Sequence, residues 1–504
     1  MNPHSSSSNH GSVNFRIWEA RWSALDTVIE GYLQELNMQH GPKVATIKNL
    51  LAQLKIFGEF QFNFFNYGFK QNLLEVSADT PPENALYIIL NQVSKDLEVL
   101  QKAISQRTIG SSAMKDTLVR ADNMALKALI PAKNAGLLSS IPAIVTYFQK
   151  SPSIRIIPYA SVALIGIPYT CIDVPADLLA IYHEVGHFVY WKGEKKGVQT
   201  YREISNTIAS ELYRQTKFPY WLYNWREEIF ADVYGTKVGG TAMAAGFQEW
   251  LLRNSLFSFF EDDSEHPIPA CRPIIHNKIL TLINSEKDQE DINELVKVWQ
   301  KKTISRYQLL IGLFIENHVE DNNDLEKVNN DKKPSLNSSS QDENISSENI
   351  EEIIKSYESK KYKKSLKSTI VNKSEPSSIL DEKFEDSINK CAIENINDYF
   401  DIVIDKIYSY LVPDSLTIFD KLINNEVEIT NIPELYASDD AFWTEWVKSK
   451  YETRVYFNSN KLISIYYDNL KRNNTNKKLP ANIWSEILFA DGWTSGPADN
   501  PRPK

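Results

Sequence analysis

Cysteine is nearly missing from this chain: Cys171, Cys271 and Cys391 lie far apart among 504 residues, with no C-x-x-C spacing. This argues against a thiolate metal site or a disulfide framework as the basis of the fold. It leaves the expectation of three reduced, mostly buried thiols in a reducing compartment. Basic charge is also short. Lys and Arg number 55 against 65 Asp and Glu, a net charge of −10 and a pI near 5.5. With no basic surplus to neutralise phosphates, no nucleic-acid partner is expected. Long apolar runs are absent as well. Val162-Ala-Leu-Ile-Gly-Ile-Pro168 is the most apolar short stretch, and it falls well below the roughly eighteen residues needed to span a bilayer. The start, through Gly11, is polar and lacks the apolar centre of a signal segment, so residues 1–14 read as a disordered tail. No internal repeat is found. The expectation is a soluble, cytoplasmic protein.

What the chain does have is enough apolar content, 42%, for cores in two or three domains. Residues 15–135 read as an N-terminal helical region. Trp18, Trp22, Leu25, Ile29 and Leu36 recur at helical spacing, Gly41-Pro42 makes a turn, and Pro81-Pro82 opens another long helix. The aromatic cluster Phe60 to Gly68 reads as core packing, since no basic residues interleave it for base stacking. Residues 136–319 change texture. Ala143–Phe148, Ser153–Ile157 and Val162–Ile167 are short and β-branched, the chain's strong strand signal. Helices are expected next from about Asp173-Val-Pro through Tyr190, through Tyr201 to Tyr213, over Trp221–Val238, through Ile279–Ile283 and from Ile292 to Ile315. Residues 320–349 have the polar composition of a linker. Residues 350–504 read as a C-terminal helical domain, with amphipathic patterns at Ile396–Leu411, Ala441–Tyr451, Leu462–Leu470 and Ile483–Phe489.

The chemistry is concentrated in Leu178-Leu-Ala-Ile-Tyr-His183-Glu184-Val-Gly-His187-Phe-Val-Tyr190. His-Glu-x-x-His on a helix places two imidazoles on one side, where they can share a metal, with a carboxylate beside them. Leu178, Tyr182, Val185 and Val189 form an apolar stripe that would anchor this helix on an adjacent face. Two histidines are too few for a catalytic zinc, which usually takes three protein ligands. Glu228 is the best third ligand, because Asp232 lies four residues further on the same helical face and could accept the outer N–H of a ligand imidazole. Glu227 is the rival ligand, out of register with Asp232.

His183-Glu-Val-Gly-His187 followed by Glu228-Ile-Phe-Ala-Asp232 resembles the gluzincin branch of the zincin metallopeptidases, and its Glu-x-x-Ala-Asp form is most similar to HtpX-like and CaaX-processing peptidases. The pair His266-Pro267 with Arg272 is similar to a further feature of that group. The resemblance covers roughly residues 155–280. Those families carry membrane-spanning helices and this chain has no such run, so membrane and prenylated substrates do not carry over. The resemblance implies a zincin-like core containing a small sheet; with the helical regions read on either side of it, the expected fold is α+β and mostly α-helical. It implies one Zn2+ per chain, bound by His183, His187 and Glu228 and supported by Asp232. The implied activity is that of a zinc metalloendopeptidase: zinc lowers the pKa of its water, and Glu184 takes the proton as the water attacks a peptide carbonyl. A donor for the developing oxyanion is also needed. His266 is the first candidate and Tyr234 the second, with a loop residue capping the next helix as the other reading of His266. Arg272 reads as structural, pairing with an acid near the site. Val162–Ile167 reads either as the edge strand to which an extended peptide adds or as an interior strand.

The resemblance implies a protein or peptide substrate; the acidic linker and the C-terminal helical domain separately suggest a regulatory protein partner that gates the cleft. The competing class is an inactive metallopeptidase-like scaffold or binding protein. An intact Glu184 speaks against it, since a purely structural site needs no base.

Overall fold

The structure, a computed structural model, describes residues 13–41, 43–76, 81–195, 198–199, 224–261, 263, 265–283, 290, 292–303, 305–306, 309 and 478–488. Helices α1 (Phe15–Leu36), α2 (Val44–Lys70), α3 (Pro82–Thr108) and α4 (Ser112–Asn134) come first. Proline opens α3 where its missing N–H is harmless, and the Ser111 hydroxyl accepts from the Met114 amide to cap α4. Strands β1 (Ala143–Gln149), β2 (Ser153–Arg155) and β3 (Val162–Pro168) follow. After two short 3-10 turns come α5 (Ala180–Lys192), the small ribbon β4 (Glu194–Lys195) and β5 (Val198–Gln199), α6 (Arg226–Leu251) and α7 (Arg272–Ile283). A helical stretch covers 292–303, and α8 is Ala481–Leu488. The described part is therefore mostly helical with a small sheet.

β3 is the middle strand. It runs parallel to β1 and antiparallel to β2, in the order β1-β3-β2. Val162–Ile167 is thus interior and cannot accept an added strand, which excludes its reading as the substrate edge. Both faces of the sheet are covered, which is why its strands are almost wholly apolar. Ala143, Val145, Tyr147, Val162 and Leu164 pack on the core of α1–α3, while Ile144, Phe148, Ile165 and Ile167 face the core of α4–α6. The sheet joins the two, so α1–α3 and the motif-bearing helices are layers of one packing arrangement.

The outer edge of β1 is closed by side chains. Gln106 accepts from the Phe148 amide (2.7 Å) and donates to its carbonyl (2.9 Å). Arg107 donates to the Thr146 carbonyl (2.9 Å), and Asp122 accepts from the Thr146 amide (3.1 Å). Arg107 and Asp122 are themselves a buried ion pair at 2.9 Å. Such satisfaction is required of backbone groups buried away from water.

The aromatic cluster forms the second half of α2, where Phe62, Phe64, Phe65 and Phe69 are buried. Residues 478–488 add to this core. Leu479 pairs with Leu74, and the buried Trp484 meets Phe65 and Phe69 edge-on and donates to the Glu75 carbonyl. The described piece of the expected C-terminal domain is thus built into the N-terminal helices. The linker at 320–349, the expected helices through Tyr201 to Tyr213, Ile396–Leu411, Ala441–Tyr451 and Leu462–Leu470, and the tail at 1–12 lie outside the described residues.

Cys171 is a buried free thiol, as expected, Cys271 is buried, and Cys391 lies outside the described residues. Among the described residues no helix is long and apolar enough to cross a membrane.

Candidate metal centre

Helix α5 starts later than Asp173-Val-Pro suggests. Asp177 turns to Thr170 and to the Arg253 guanidinium (2.6 Å), a 3-10 turn occupies Pro175–Leu179, and the α-helix begins at Ala180. Leu178 therefore precedes the helix. Nor is there a single apolar stripe: Ala180 to Trp191 are all buried, because α4, the sheet and α6 surround the helix. The motif sits at the centre of the fold.

α6 crosses α5 at small residues. A Cβ on Gly186 would lie 2.7 Å from Ala231 Cα, and one on Gly235 would lie 3.0 Å from the His183 amide nitrogen. This close approach presents the first turns of α6 to the two histidines. α6 is interrupted at Gly240 (φ 60°, ψ −153°), a left-handed conformation suited to glycine, near the expected helix end at Val238.

His183, His187 and Glu228 form a group that could hold a metal ion. The two Nε2 atoms are 3.1 Å apart, Glu228 Oε1 is 3.3 Å from His187 Nε2, and Glu228 Oε2 is 3.4 Å from His183 Nε2. With bonds of about 2.0–2.1 Å, the edge of a tetrahedral coordination shell is about 3.3–3.4 Å. The spacing of the three donors therefore fits a small tetrahedral cation.

The outer faces of the imidazoles are held by carboxylates. His183 Nδ1 lies 2.9 Å from Asp232 Oδ1, and His187 Nδ1 lies 3.1 Å from Glu227 Oε1. With a proton on each Nδ1 donated to its carboxylate, the Nε2 lone pairs would be left on the Glu228 side, where Arg272 Nη2 also lies 3.1 Å from His183 Nε2. Glu227, the rival ligand, is thus placed on the far side of His187, where Trp191 Nε1 also donates to it (2.7 Å). Asp232 occupies the supporting position expected of it. Arg272 joins the two acids, donating through Nε to Asp232 Oδ2 (2.6 Å) and through Nη2 to Glu228 Oε2 (2.7 Å). Its expected pairing with an acid is realised twice.

The electrostatics follow from burial and these partners. Burial opposes the Asp232 anion, but Arg272 chiefly, with His276 and His183, holds its carboxyl well below the ordinary range. Glu228 is likewise held well below against burial, by His266, His187 and Arg272. Burial lifts the Glu184 carboxyl, and the charges of His183 and His187 oppose the shift without cancelling it.

His266 is half-buried at the rim. Its Nε2 is 3.4 Å from Glu228 Oε1 and its Nδ1 is 2.7 Å from Asp263 Oδ2; the Glu228 charge raises the imidazole to about 9. Tyr234 is placed elsewhere. Its hydroxyl is fully buried and donates to the Ala128 carbonyl of α4 at 2.6 Å, so it is not available to an oxyanion. It lies six residues, less than two turns, beyond Glu228, and that offset turns it away from the site. Sequence reasoning assigned no role to Asp263, Phe247 or His276. Phe247 is tilted over His183 with ring centres 5.1 Å apart. Asp263, three residues before His266, carries the one signal that was readable.

No family model matches the chain, and neither a curated protein nor a solved structure shows significant similarity to it.

Proposed function

We propose that this protein is a zinc metalloendopeptidase. The observation carrying this reading is the donor set: three groups at tetrahedral spacing, each imidazole backed by a carboxylate, with Glu184 on the same helix between them. Two nitrogens and one oxygen, with solvent completing the shell, are the ligands of catalytic rather than structural zinc. His183, His187 and Glu228 would hold the ion. Bound there, zinc supplies Lewis acidity that makes water nucleophilic near neutral pH and polarises a carbonyl. Glu184 takes the proton from the attacking water and returns it to the leaving amine. Arg272 holds Glu228 and Asp232 in place, and His266, held by Asp263, is the remaining candidate to stabilise the oxyanion.

The test compares the purified full chain with Glu184→Gln, measuring zinc content and cleavage of casein or a peptide pool. The expected result is about one zinc per chain in both, with cleavage in the wild type alone. Zinc bound with negligible cleavage by either protein would instead support a metal-binding scaffold. A wild type that takes up no zinc would refute the metal reading. In Glu228→Ala both zinc and activity should be lost.

A further inference from the structure

We propose that His276 is a positioning residue for this site, steadying Asp232 and, through it, the ligand imidazole of His183. The inference rests on the metallopeptidase reading and adds a residue from a third helix to it. His276 is completely buried on α7, one helical turn beyond Arg272, so both side chains leave the same face. Both reach Asp232. Arg272 donates to its two oxygens, at 2.6 and 3.0 Å, and His276 Nε2 lies 3.3 Å from Oδ1, the oxygen that faces His183 Nδ1. Asp232 is thus the junction of three basic side chains from two helices other than its own.

Phe247 organises the same three. Its ring is tilted against His183 at 5.1 Å, edge-on to His276 at 5.3 Å, and beneath the Arg272 guanidinium at 4.7 Å. The ring packs against all three side chains.

A purely packing role does not account for an imidazole here. Neither of its ring nitrogens makes a well-aligned hydrogen bond with the protein. Burying such groups without a well-aligned partner is costly, and an aliphatic side chain would fill the space without that cost. What the imidazole adds is a polar edge toward Asp232 Oδ1. Arg272 grips both carboxylate oxygens, and His276 on the other flank adds a second basic neighbour at Oδ1, the oxygen that faces His183. A carboxylate held in this way fixes the ring orientation and tautomer of a ligand histidine.

The test uses the full chain with His276→Gln, which keeps a donor, and His276→Leu and His276→Met, which remove it. Zinc affinity is measured by chelator competition, the Co2+-loaded proteins are compared by their visible absorption bands, and folding of the metal-free proteins is followed by circular dichroism. Two apolar variants are made so that one failing to fold leaves the other to decide. The expected result is about a tenfold or larger loss of zinc affinity and an altered Co2+ spectrum in the folded apolar variants, with His276→Gln restored to near wild type. Wild-type affinity and spectrum in all variants would overturn the proposal. An equal loss in the Gln and apolar variants would overturn it too, by assigning the effect to shape alone. A wild type that binds neither Zn2+ nor Co2+ would be a failure of the metal reading itself, a distinct result.

Discussion

Gly186→Ala should weaken both the fold and the proposed metal site, through one methyl group. The added Cβ would stand 2.7 Å from Ala231 Cα and 2.8 Å from its carbonyl oxygen. Both are backbone atoms of α6, so no rotamer change can make room. Restoring an ordinary contact requires the helices to part by about 0.7 Å at this point. Alanine is preferred over glycine in a helix by about 1 kcal/mol, while overpacking a close contact costs about 1–3 kcal/mol. Against rigid backbone the upper part of that range applies, giving a net destabilisation of about 1–2 kcal/mol. The same parting lengthens the gaps between Glu228 and the two Nε2 atoms, now 3.3 and 3.4 Å. If zinc must draw the helices together against this strain, its affinity falls by a factor of roughly 5–30. Thermal unfolding of the metal-free protein and chelator competition read the two effects separately. Wild-type stability together with wild-type zinc affinity would show that the Gly186–Ala231 contact does not set the helix spacing.

Other perturbations follow from the same contacts. Glu227→Gln keeps all three donors but weakens the support of His187, so zinc should still bind, with affinity lowered by about tenfold or more; complete loss of metal in a folded protein would mark Glu227 as a ligand. Asp122→Ala leaves Arg107 buried without its partner and the Thr146 amide unsatisfied, and should cost about 3–5 kcal/mol in urea unfolding. Asp177 gives an acid-side prediction. Burial works to raise its carboxyl, but the hydrogen bonds from Arg253 and Thr170 outweigh this and hold it below the ordinary value. A group with a lower folded than unfolded pKa contributes stability that is complete above about pH 4 and is lost as pH falls through the folded value. Asp177→Asn should therefore be destabilised at neutral pH and show a shallower acid limb; an unchanged limb would refute the linkage.

The site was legible wherever chemistry follows helical period. His183, Glu184 and His187 could be placed on one helix from their spacing, and Glu228 was preferred because Asp232 follows it by four residues; the structure puts both acids where that register requires. Tyr234 lies on the same helix, but six residues past Glu228 it faces α4 instead. Glu227, readable only as a rival ligand, became the support of His187 because α5 and α6 meet at Gly186 and Ala231.

Local sequence specified which way each side chain leaves its own element, and so the three strands, the long helices and the metal-ligand candidates. It did not specify how far one element lies from another. The interior position of β3, the side chains closing β1, the docking of Trp484 between Phe65 and Phe69, and the meeting of Arg272 and His276 at Asp232 were decided by tertiary packing. Periodicity describes rotation about one axis, whereas these contacts depend on the distance between axes, which only the fit of buried side chains determines.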